Sequence, residues 1–380
     1  MGRWGDGETG RWGNGETRKW GDGEMGKWGD KEMGRWGDGE MGRQGDGEMG
    51  RQGDGEMGKL SGKEDRQVLH YLDLIKQNPH RAAELYIKIG DICDRRHQFF
   101  AAKAAYRQAT WSRALLNISE VISCIRQYFP VEASILNIDI LDIDVLDNGC
   151  DPTGRQLALL AEHTKGRVVG INIFKGFPAA TVKRRRINNE FYPMDGQNLS
   201  FDDRCFDLVI SLNVLEHIPN PNKYLQECYR VLRTGGIGFF SWYPVWSGAT
   251  GHHVHPDMVG RMSKKLSIVT PDYSMDGSSI PFWGHLLFDA PDMLSFLVEE
   301  KQYHPDLAKW MRHYIYNGMD LNRWFWRDVW YSFQHIAWDI MEVEHRRKTS
   351  IAPEIASQLQ RKYGLVDDFE ICGAKIIVRK

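Results

Sequence analysis

The sequence lacks most features that would indicate a metal motif, a membrane anchor or a nucleic-acid surface. Its six cysteines are scattered, and no pair has the Cys-x-x-Cys spacing of common zinc and redox motifs. No apolar run is long enough to span a bilayer, and the amino terminus has no apolar signal core. The formal net charge of −2 gives no general attraction to nucleic acid. We therefore expect a cytoplasmic protein with free buried thiols and with neither nucleic-acid nor membrane partners.

Residues 1–59 repeat an eight-residue unit that reads roughly Trp-Gly-Asp-Gly-Glu-Met-Gly-Arg. Glycine and charged residues dominate this segment, and aliphatic side chains are almost missing from it. Such a chain buries too little surface to offset the entropy lost on ordering. We expect a disordered low-complexity tail, with a ligand-binding repeat array as the alternative.

Residues 60–130 have a helical pattern. Within them, 82–109 carry small and aromatic residues at the spacing of one tetratricopeptide-like helix–turn–helix. A solenoid of such units needs about three repeats for stability. The pattern therefore predicts a small helical cap packed on the next domain, with a partner-binding groove as the alternative.

After residue 130 the pattern alternates between strands and helices. Apolar runs at 145–147, 167–173, 206–211 and 237–242 flank amphipathic stretches at 156–163 and 222–232. This alternation predicts an α/β fold over 131–242, with a parallel sheet covered by helices on both faces. Residues 243–366 are aromatic-rich and have helical spacing, which predicts a substrate or lid insert. Residues 367–380 are expected to form a terminal β-hairpin about Gly373 that completes the sheet.

The first motif that can carry chemistry is the loop after the strand at 145–147. The strand delivers Asp147, and a loop with Gly149 and Gly154 then opens a helix. Glycine lets a ligand lie against bare backbone, and free N–H groups at a helix start face that ligand. A nucleotide-like cofactor is expected at the carboxyl ends of such strands. A loop without Gly-x-Gly-x-x-Gly makes a nicotinamide-dependent oxidoreductase a distant alternative.

Further motifs follow in a fixed order. They are Val168-Val-Gly-Ile-Asn172, Asp195-Gly196, Phe206-Asp-Leu-Val-Ile-Ser211, Asn213-Val-Leu-Glu-His-Ile-Pro219 and Tyr229-Arg-Val-Leu-Arg-Thr-Gly-Gly236. Together with the first loop, this series resembles the class I S-adenosylmethionine-dependent methyltransferases of the type 11 branch. The resemblance covers about 110 residues and implies a Rossmann-like sheet, parallel except for one antiparallel terminal strand. It also implies S-adenosylmethionine as the cofactor.

The resemblance assigns cofactor-binding positions residue by residue. Asp147 would meet the ammonium group, Asn172 would take the ribose position, and Asp195 would face the adenine amino group. The full cofactor set is Asp147, Gly149, Asp151, Gly154, Asn172, Asp195, Gly196, Ser211 and Asn213. Asp151 stands where the family usually has glycine, and Asn172 where it has a carboxylate. These departures leave a degenerate binding or scaffold protein as the alternative function.

The catalytic candidates are histidines. His217 follows Glu216 in the family's Leu-Glu-His motif, and His252 and His253 lie in the run Gly251-His-His-Val-His255. An imidazole can accept a proton from an acceptor near neutral pH, although Glu216 and His217 could instead be a structural pair. No metal is expected, because no fourth ligand stands at a recognisable spacing. The predicted acceptor is a small molecule or glycan, and residues 60–130 are a candidate surface for a protein partner.

Overall fold

The computed structural model describes residues 63–78, 81–95, 114–115, 117–129, 142–151, 154–161, 163–173, 189–364 and 368–380. The octapeptide repeat and the second half of the tetratricopeptide-like segment lie outside these ranges, so both stay predictions. The helices that precede the sheet span Lys63–Gln77, Ala82–Arg95 and 117–128. Val68 of the first helix packs against Ile89 and Ile92 of the second.

The centre of the molecule is a mostly parallel sheet. Its strands are β1 Val145–Asn148, β2 Val168–Asn172, β3 Asn189–Pro193, β4 Phe206–Leu212, β5 Leu232–Trp242, β6 Asp339–Arg346 and β7 Gly373–Arg379. Among the described residues these seven strands form one sheet in the order β3-β2-β1-β4-β5-β7-β6. β1 to β5 run parallel, and β7 runs antiparallel to β5 and β6. The predicted α/β class, with one antiparallel terminal strand, is confirmed.

Helices cover both faces of the sheet, which is why its central strands are apolar along their length. One face carries the helices Pro221–Val231 and Trp326–Gln334. The other carries Arg155–Leu160 and the helix at 117–128. The helix at 117–128, which the sequence assigned to the cap, therefore shares the core of the sheet. The aromatic rings of Trp326 and Phe333 stack on Trp242 and are core residues of the first face.

The segment after β5 is only partly a separate helical insert. Its helices are Pro256–Leu266, Gly284–Leu287, Ala290–Ser295, Phe296–Glu300 with π-type bonding, Pro305–Tyr316 and Pro353–Tyr363. Residues between 254 and 321 form an apolar cluster of their own. From Trp326 onward the chain returns to the sheet. The part of this segment that has an apolar core of its own therefore ends well before residue 366.

The predicted terminal hairpin is wrong. Residues 368–372 form no strand, and the partner of β7 is β6, which begins at Asp339. The helical spacing predicted for residues 243–366 does not extend over β6, because the preceding helix ends at Gln334. The pairing of β6 with β7 spans a whole helix, so no local turn signal marks it. β3 also escaped prediction, because it is a half-exposed edge strand with polar residues.

The absence of a long apolar run extends to the described helices, none of which has the length and apolar character needed to cross a membrane. Cys124, Cys150, Cys205, Cys228 and Cys372 are free thiols. Apart from Cys205, which is half-buried, these thiols are buried, as predicted.

Candidate active site

The predicted cofactor residues lie along the edge of the sheet that is formed by the carboxyl ends of its parallel strands. Asp147 is near the carboxyl end of β1, Asn172 ends β2, and Ser211 is near the end of β4. Asp195 with Gly196 follows β3, and Asn213 follows β4. Parallel strands end at the same edge, and open α/β sheets bind their ligands outside these ends. The structure therefore brings residues that are 66 positions apart (147 to 213) to one edge.

Asp147 is a buried carboxylate without a hydrogen bond. The residue is 1% exposed, and neither carboxylate oxygen has a hydrogen-bond partner in the described part of the chain. Burial raises the pKa of Asp147 well above its usual range, and the negative charge of Asp151 raises it further. A buried, unpaired carboxylate is costly, and a cationic ligand would relieve that cost.

The loop after β1 is held by backbone bonds and by two glycines. The N–H groups of Gly149 and Cys150 donate to the carbonyl of Ile171 at 3.0 and 2.9 Å. Gly149 and Gly154 have φ angles of +102° and +68°. A Cβ at Gly149 would overlap the side chain of Val214. The Val214 side chain therefore lies against Gly149. The sequence interpretation was that this glycine leaves exposed backbone for the cofactor.

The two residues that depart from the family pattern both stabilise this loop. The Asp151 carboxylate accepts a hydrogen bond from the N–H of Gln156 at 3.1 Å, at the start of the helix Arg155–Leu160. The Asn172 side-chain amide donates to the carbonyl of Cys150 at 2.9 Å. Each substitution thus has a structural reason that needs no ligand.

Tyr224 joins the ends of β1 and β4 and was not predicted from the sequence. Its hydroxyl donates to the carbonyl of Asn148 at 2.7 Å and lies 2.8 Å from Ser211 Oγ. A Cβ at Gly196 would meet the Tyr224 ring at 2.7 Å. Ser211 and Gly196 are therefore buried and contact Tyr224 beneath the carboxyl ends of the strands. The only sequence signal for Tyr224 is its place on the apolar face of an amphipathic helix.

The other two predicted cofactor residues lie at the surface of the edge. Exposed Asp195 accepts a hydrogen bond from the N–H of Gln197 at 2.9 Å. Asn213 has a φ of +55°, and its N–H donates to the carbonyl of Ser241 at 2.7 Å. Both residues shape turns after strands, which is compatible with a site at this edge.

A second group of side chains meets beside this edge. Glu216 and His217 lie on the 3₁₀ helix Leu215–His217, and His253 comes from the loop after β5. One potential ligand atom from each of the three lies within 4.8 Å of the other two. Burial raises the pKa of Glu216 to about 8. Burial lowers the pKa of His253 to about 2, and the neighbouring His217 and His255 lower it further.

Loop 320–322 and Tyr314 hold this group in place. His217 Nδ1 lies 2.5 Å from the carbonyl of Asp320, and His253 Nδ1 lies 3.2 Å from the hydroxyl of Tyr314. The Asn322 side-chain amide donates to the carbonyl of Ile218 at 2.9 Å. The backbone N–H of Asn322 donates to the carbonyl of Glu216 at 3.0 Å. Sequence analysis missed all three supporting residues, because they are about 60 or more positions from their partners in the chain.

His252 lies apart from this group. It is 1% exposed, and its Nδ1 accepts a hydrogen bond from the N–H of Val254 at 3.1 Å. Its ring packs against His285, with 5.8 Å between the ring centroids. Burial lowers the pKa of His252 well below its usual value. Of the three predicted catalytic histidines, the structure brings together only His217 and His253.

A small cavity of about 10 Å³, room for roughly one water, adjoins the group. Its walls include Glu216, Trp242, Pro244, Trp246, Asn322 and Arg323. Glu216 therefore belongs both to the group with the two histidines and to the wall of this cavity.

Comparison with known proteins identifies the central part of the chain. Residues 146–240 match the family model described as a methyltransferase domain. An uncharacterized methyltransferase of Mycobacterium sp. (strain KMS) is 40% identical over 76 residues, which cover 20% of this chain and 28% of the relative. The ubiquinone biosynthesis O-methyltransferase of Coxiella burnetii is 29% identical over 101 residues, covering 26% of this chain and 42% of the relative. The match to the mycobacterial relative thus spans little more than a quarter of that protein.

Solved structures include a similar chain. An S-adenosylmethionine-dependent methyltransferase from Mesorhizobium loti aligns with a TM-score of 0.41 and 14% identity, covering 68% of this chain and 96% of that one. The family match covers most of β1, all of β2, β3 and β4, and most of β5. Asp147, Asn172 and Ser211 lie near the carboxyl ends of β1, β2 and β4. Residues 146–240 of the chain are therefore a methyltransferase domain.

Proposed function

We propose that this chain is an S-adenosylmethionine-dependent methyltransferase that modifies a small-molecule or glycan-type acceptor. The observation that carries the proposal is Asp147, a buried carboxylate without a hydrogen-bond partner in the described ranges, at the cofactor edge of the sheet. S-adenosylmethionine, when bound, supplies a methyl group on a positively charged sulfur.

The residues present fit a cationic cofactor. Asp147 and Asp151 are close enough for the charge of one to raise the pKa of the other. Two carboxylates that repel each other favour a positive group beside them, because that group offsets the repulsion and the cost of burial. The ammonium group of the cofactor's methionine part is such a group.

The acceptor is proposed to approach from the side of His217 and His253. The side chain of His217 is 40% exposed, so an acceptor can reach it from solvent. A hydroxyl acceptor must lose its proton when it is methylated, and imidazole or a neighbouring group must assist that loss. Methyl transfer depends mainly on alignment, which can contribute about 7–11 kcal/mol in favourable cases. The cluster at 254–321 covers the same side and supports a role in shaping the acceptor pocket.

Cofactor binding tests the proposal directly. Calorimetric titration of the full chain with S-adenosylmethionine and S-adenosylhomocysteine is expected to show binding of both. Asp147→Asn should weaken binding about ten- to a hundredfold, because a hydrogen bond to a charged group contributes about 1.5–3 kcal/mol. Asp202→Asn, which changes an exposed carboxylate ahead of β4, is the matched control and should bind as the wild type does.

Failure of the wild-type chain to bind either compound at millimolar concentration would contradict the proposal. That result is the one expected of a degenerate methyltransferase fold that serves as a scaffold. Equal affinities for the wild type and Asp147→Asn would remove Asp147 from the cofactor site.

A further inference from the structure

We propose that Glu216, His217 and His253 form a binding site for a divalent transition-metal ion, with coordination positions left open for oxygen atoms of the methyl acceptor. The site stands on the geometry of these three side chains. Its use in catalysis rests on the proposed methyltransferase function.

The donor set has the chemistry of an open metal site. Two imidazole nitrogens and one carboxylate bind zinc, manganese, iron or cobalt ions, and three protein ligands leave room for water or substrate. Ligand atoms at about 2.0–2.2 Å from one ion lie at most about 4.4 Å apart. The three potential ligand atoms lie within 4.8 Å of one another, so small side-chain rotations bring them onto a common ion.

The histidine rings are oriented as metal ligands usually are. A carbonyl oxygen only accepts hydrogen bonds, so the contact of His217 Nδ1 with the carbonyl of Asp320 places the proton on Nδ1. The lone pair is then on Nε2, which lies 3.9 Å from Glu216 Oε1. The Nδ1 atom of His253 lies 3.2 Å from the Tyr314 hydroxyl, which can donate or accept a hydrogen bond. Outer hydrogen bonds of this kind orient the rings of histidine ligands for coordination.

Glu216 provides an independent observation in favour of a bound cation. Its side chain is 4% exposed, and within the described ranges neither carboxylate oxygen has a hydrogen-bond partner. A buried carboxylate is retained when it is paired or coordinates a metal. No Lys or Arg lies within salt-bridge distance of it in the part of the chain that is described.

The backbone of His253 is consistent with a site under functional constraint. Its φ of +55° is in the left-handed region, which is uncommon for a residue other than glycine. This conformation turns the ring toward His217, with 5.0 Å between the ring centroids. His217 remains partly exposed, so an ion and an acceptor can enter from solvent.

A hydroxyl oxygen of the acceptor would occupy an open position on the ion. Coordination lowers the pKa of that hydroxyl, and its proton leaves to water. An electron pair of the oxygen then forms the bond to the methyl carbon, while the carbon–sulfur bond breaks and its pair stays on sulfur. While the two imidazoles coordinate the ion, neither of them accepts the proton of the acceptor hydroxyl.

Titration of the chelator-treated full chain with Co²⁺, followed by visible absorption, tests the site. The wild type is expected to bind one ion per chain. Glu216→Gln, His217→Asn and His253→Asn should each weaken binding at least about tenfold, because even loss of an outer-shell partner commonly costs that much. His335→Asn, at an exposed histidine after the helix Trp326–Gln334, is the matched control and should leave the affinity unchanged.

The wild type failing to bind Co²⁺ at millimolar concentration would overturn the metal site. So would unchanged affinity in all three ligand variants. Because the His217 side chain is partly exposed, His217→Asn is expected to fold, and circular dichroism together with the melting temperature verifies this. A folded His217→Asn that binds Co²⁺ as the wild type does would by itself remove His217 from the site.

Binding of S-adenosylhomocysteine in the presence of chelator separates this inference from the proposed function. The ligand variants should keep that binding, and Asp147→Asn should weaken it while it keeps Co²⁺ binding. Co²⁺ binding without cofactor binding would support the metal site and contradict the methyltransferase proposal. Cofactor binding without Co²⁺ binding would support the methyltransferase proposal and contradict the metal site.

Discussion

At the scale of single residues, the proposed cofactor site and the group of Glu216, His217 and His253 each contain a buried carboxylate. Among the described residues, neither carboxylate accepts a hydrogen bond. Asp147 and Glu216 are both buried, and both have raised pKa values whose largest cause is burial. Groups of this kind lower stability unless a ligand compensates them. The structure therefore concentrates destabilising residues where a cofactor and an acceptor are proposed to bind.

Replacing Asp147 by asparagine is expected to stabilise the ligand-free protein. The folded-state pKa of Asp147 lies above its ordinary value of 3.8, so the folded chain binds more protons than the unfolded chain. The contribution of Asp147 to the free energy of unfolding therefore falls as pH rises above about 4, by up to about 1.4 kcal/mol per pH unit. The melting temperature of Asp147→Asn should exceed that of the wild type by a margin that grows with pH.

Melting curves of ligand-free protein at several pH values between about 4 and 8 measure this margin. Asp202→Asn, at an exposed position, should follow the wild type throughout. A margin that shrinks with pH, or an Asp147→Asn variant less stable at every pH, would show that the carboxylate has a stabilising partner.

Asn322 holds the turn that carries Glu216 and His217. Its amide donates to the carbonyls of Leu215 and Ile218, and its side-chain oxygen accepts from the N–H of Trp324. Asn322→Ala should lower the free energy of unfolding by about 1–3 kcal/mol, because these buried groups lose their partner. Urea denaturation measures the loss. Asn317→Ala, at an exposed position, is the control, and equal stabilities of the two variants would contradict this role.

At the scale of secondary-structure elements, β7 closes the core although it comes last in the chain. It pairs with β5 on one side and β6 on the other. Its residues Ile376 and Val378 are fully buried on the face that also holds Trp242 and Phe333. The sheet therefore cannot be completed before β7 has been added between β5 and β6.

Truncating a side chain of β7 should accordingly be costly. Ile376→Ala is expected to lower the free energy of unfolding by about 2–5 kcal/mol, the usual cost of removing a buried isoleucine side chain. Val269→Ala, at a side chain 91% exposed, should change it by less than about 0.5 kcal/mol. Urea midpoints of the two variants decide the matter. A cost below about 1 kcal/mol for Ile376→Ala would mean that β7 is not an interior strand.

At the scale of the whole molecule, the octapeptide repeat is proposed to be dispensable for the fold. Its composition offers little apolar surface to bury, whereas the core clusters of the described ranges lie between residues 68 and 378. A chain lacking residues 1–59 should keep the melting temperature and the S-adenosylhomocysteine affinity of the full chain. A drop of several degrees in melting temperature, or a weaker affinity, would show that the repeat binds the rest of the protein.

Local sequence predicted the elements whose signals are local. β1, β2, β4 and β5 are apolar runs. A glycine-containing loop follows β1, and an amphipathic helix precedes β5. Asp147, at the end of such a run, could therefore be named as a site residue. The pairing of β6 with β7 could not, because 26 residues lie between Arg346 and Gly373 and no tight turn joins the strands.

The sequence by itself determined the strands β1, β2, β4 and β5, the methyltransferase motifs and the single residues from which both proposed sites are built. It named Glu216, His217 and His253, yet it treated the first two as a pair and the third as part of a histidine run. Only the tertiary structure decided that these three meet, that His252 turns away, and that Asp320, Tyr314 and Asn322 support them. Periodicity and turn chemistry act over a few residues, whereas a site is assembled by packing between distant segments, which depends on the whole core.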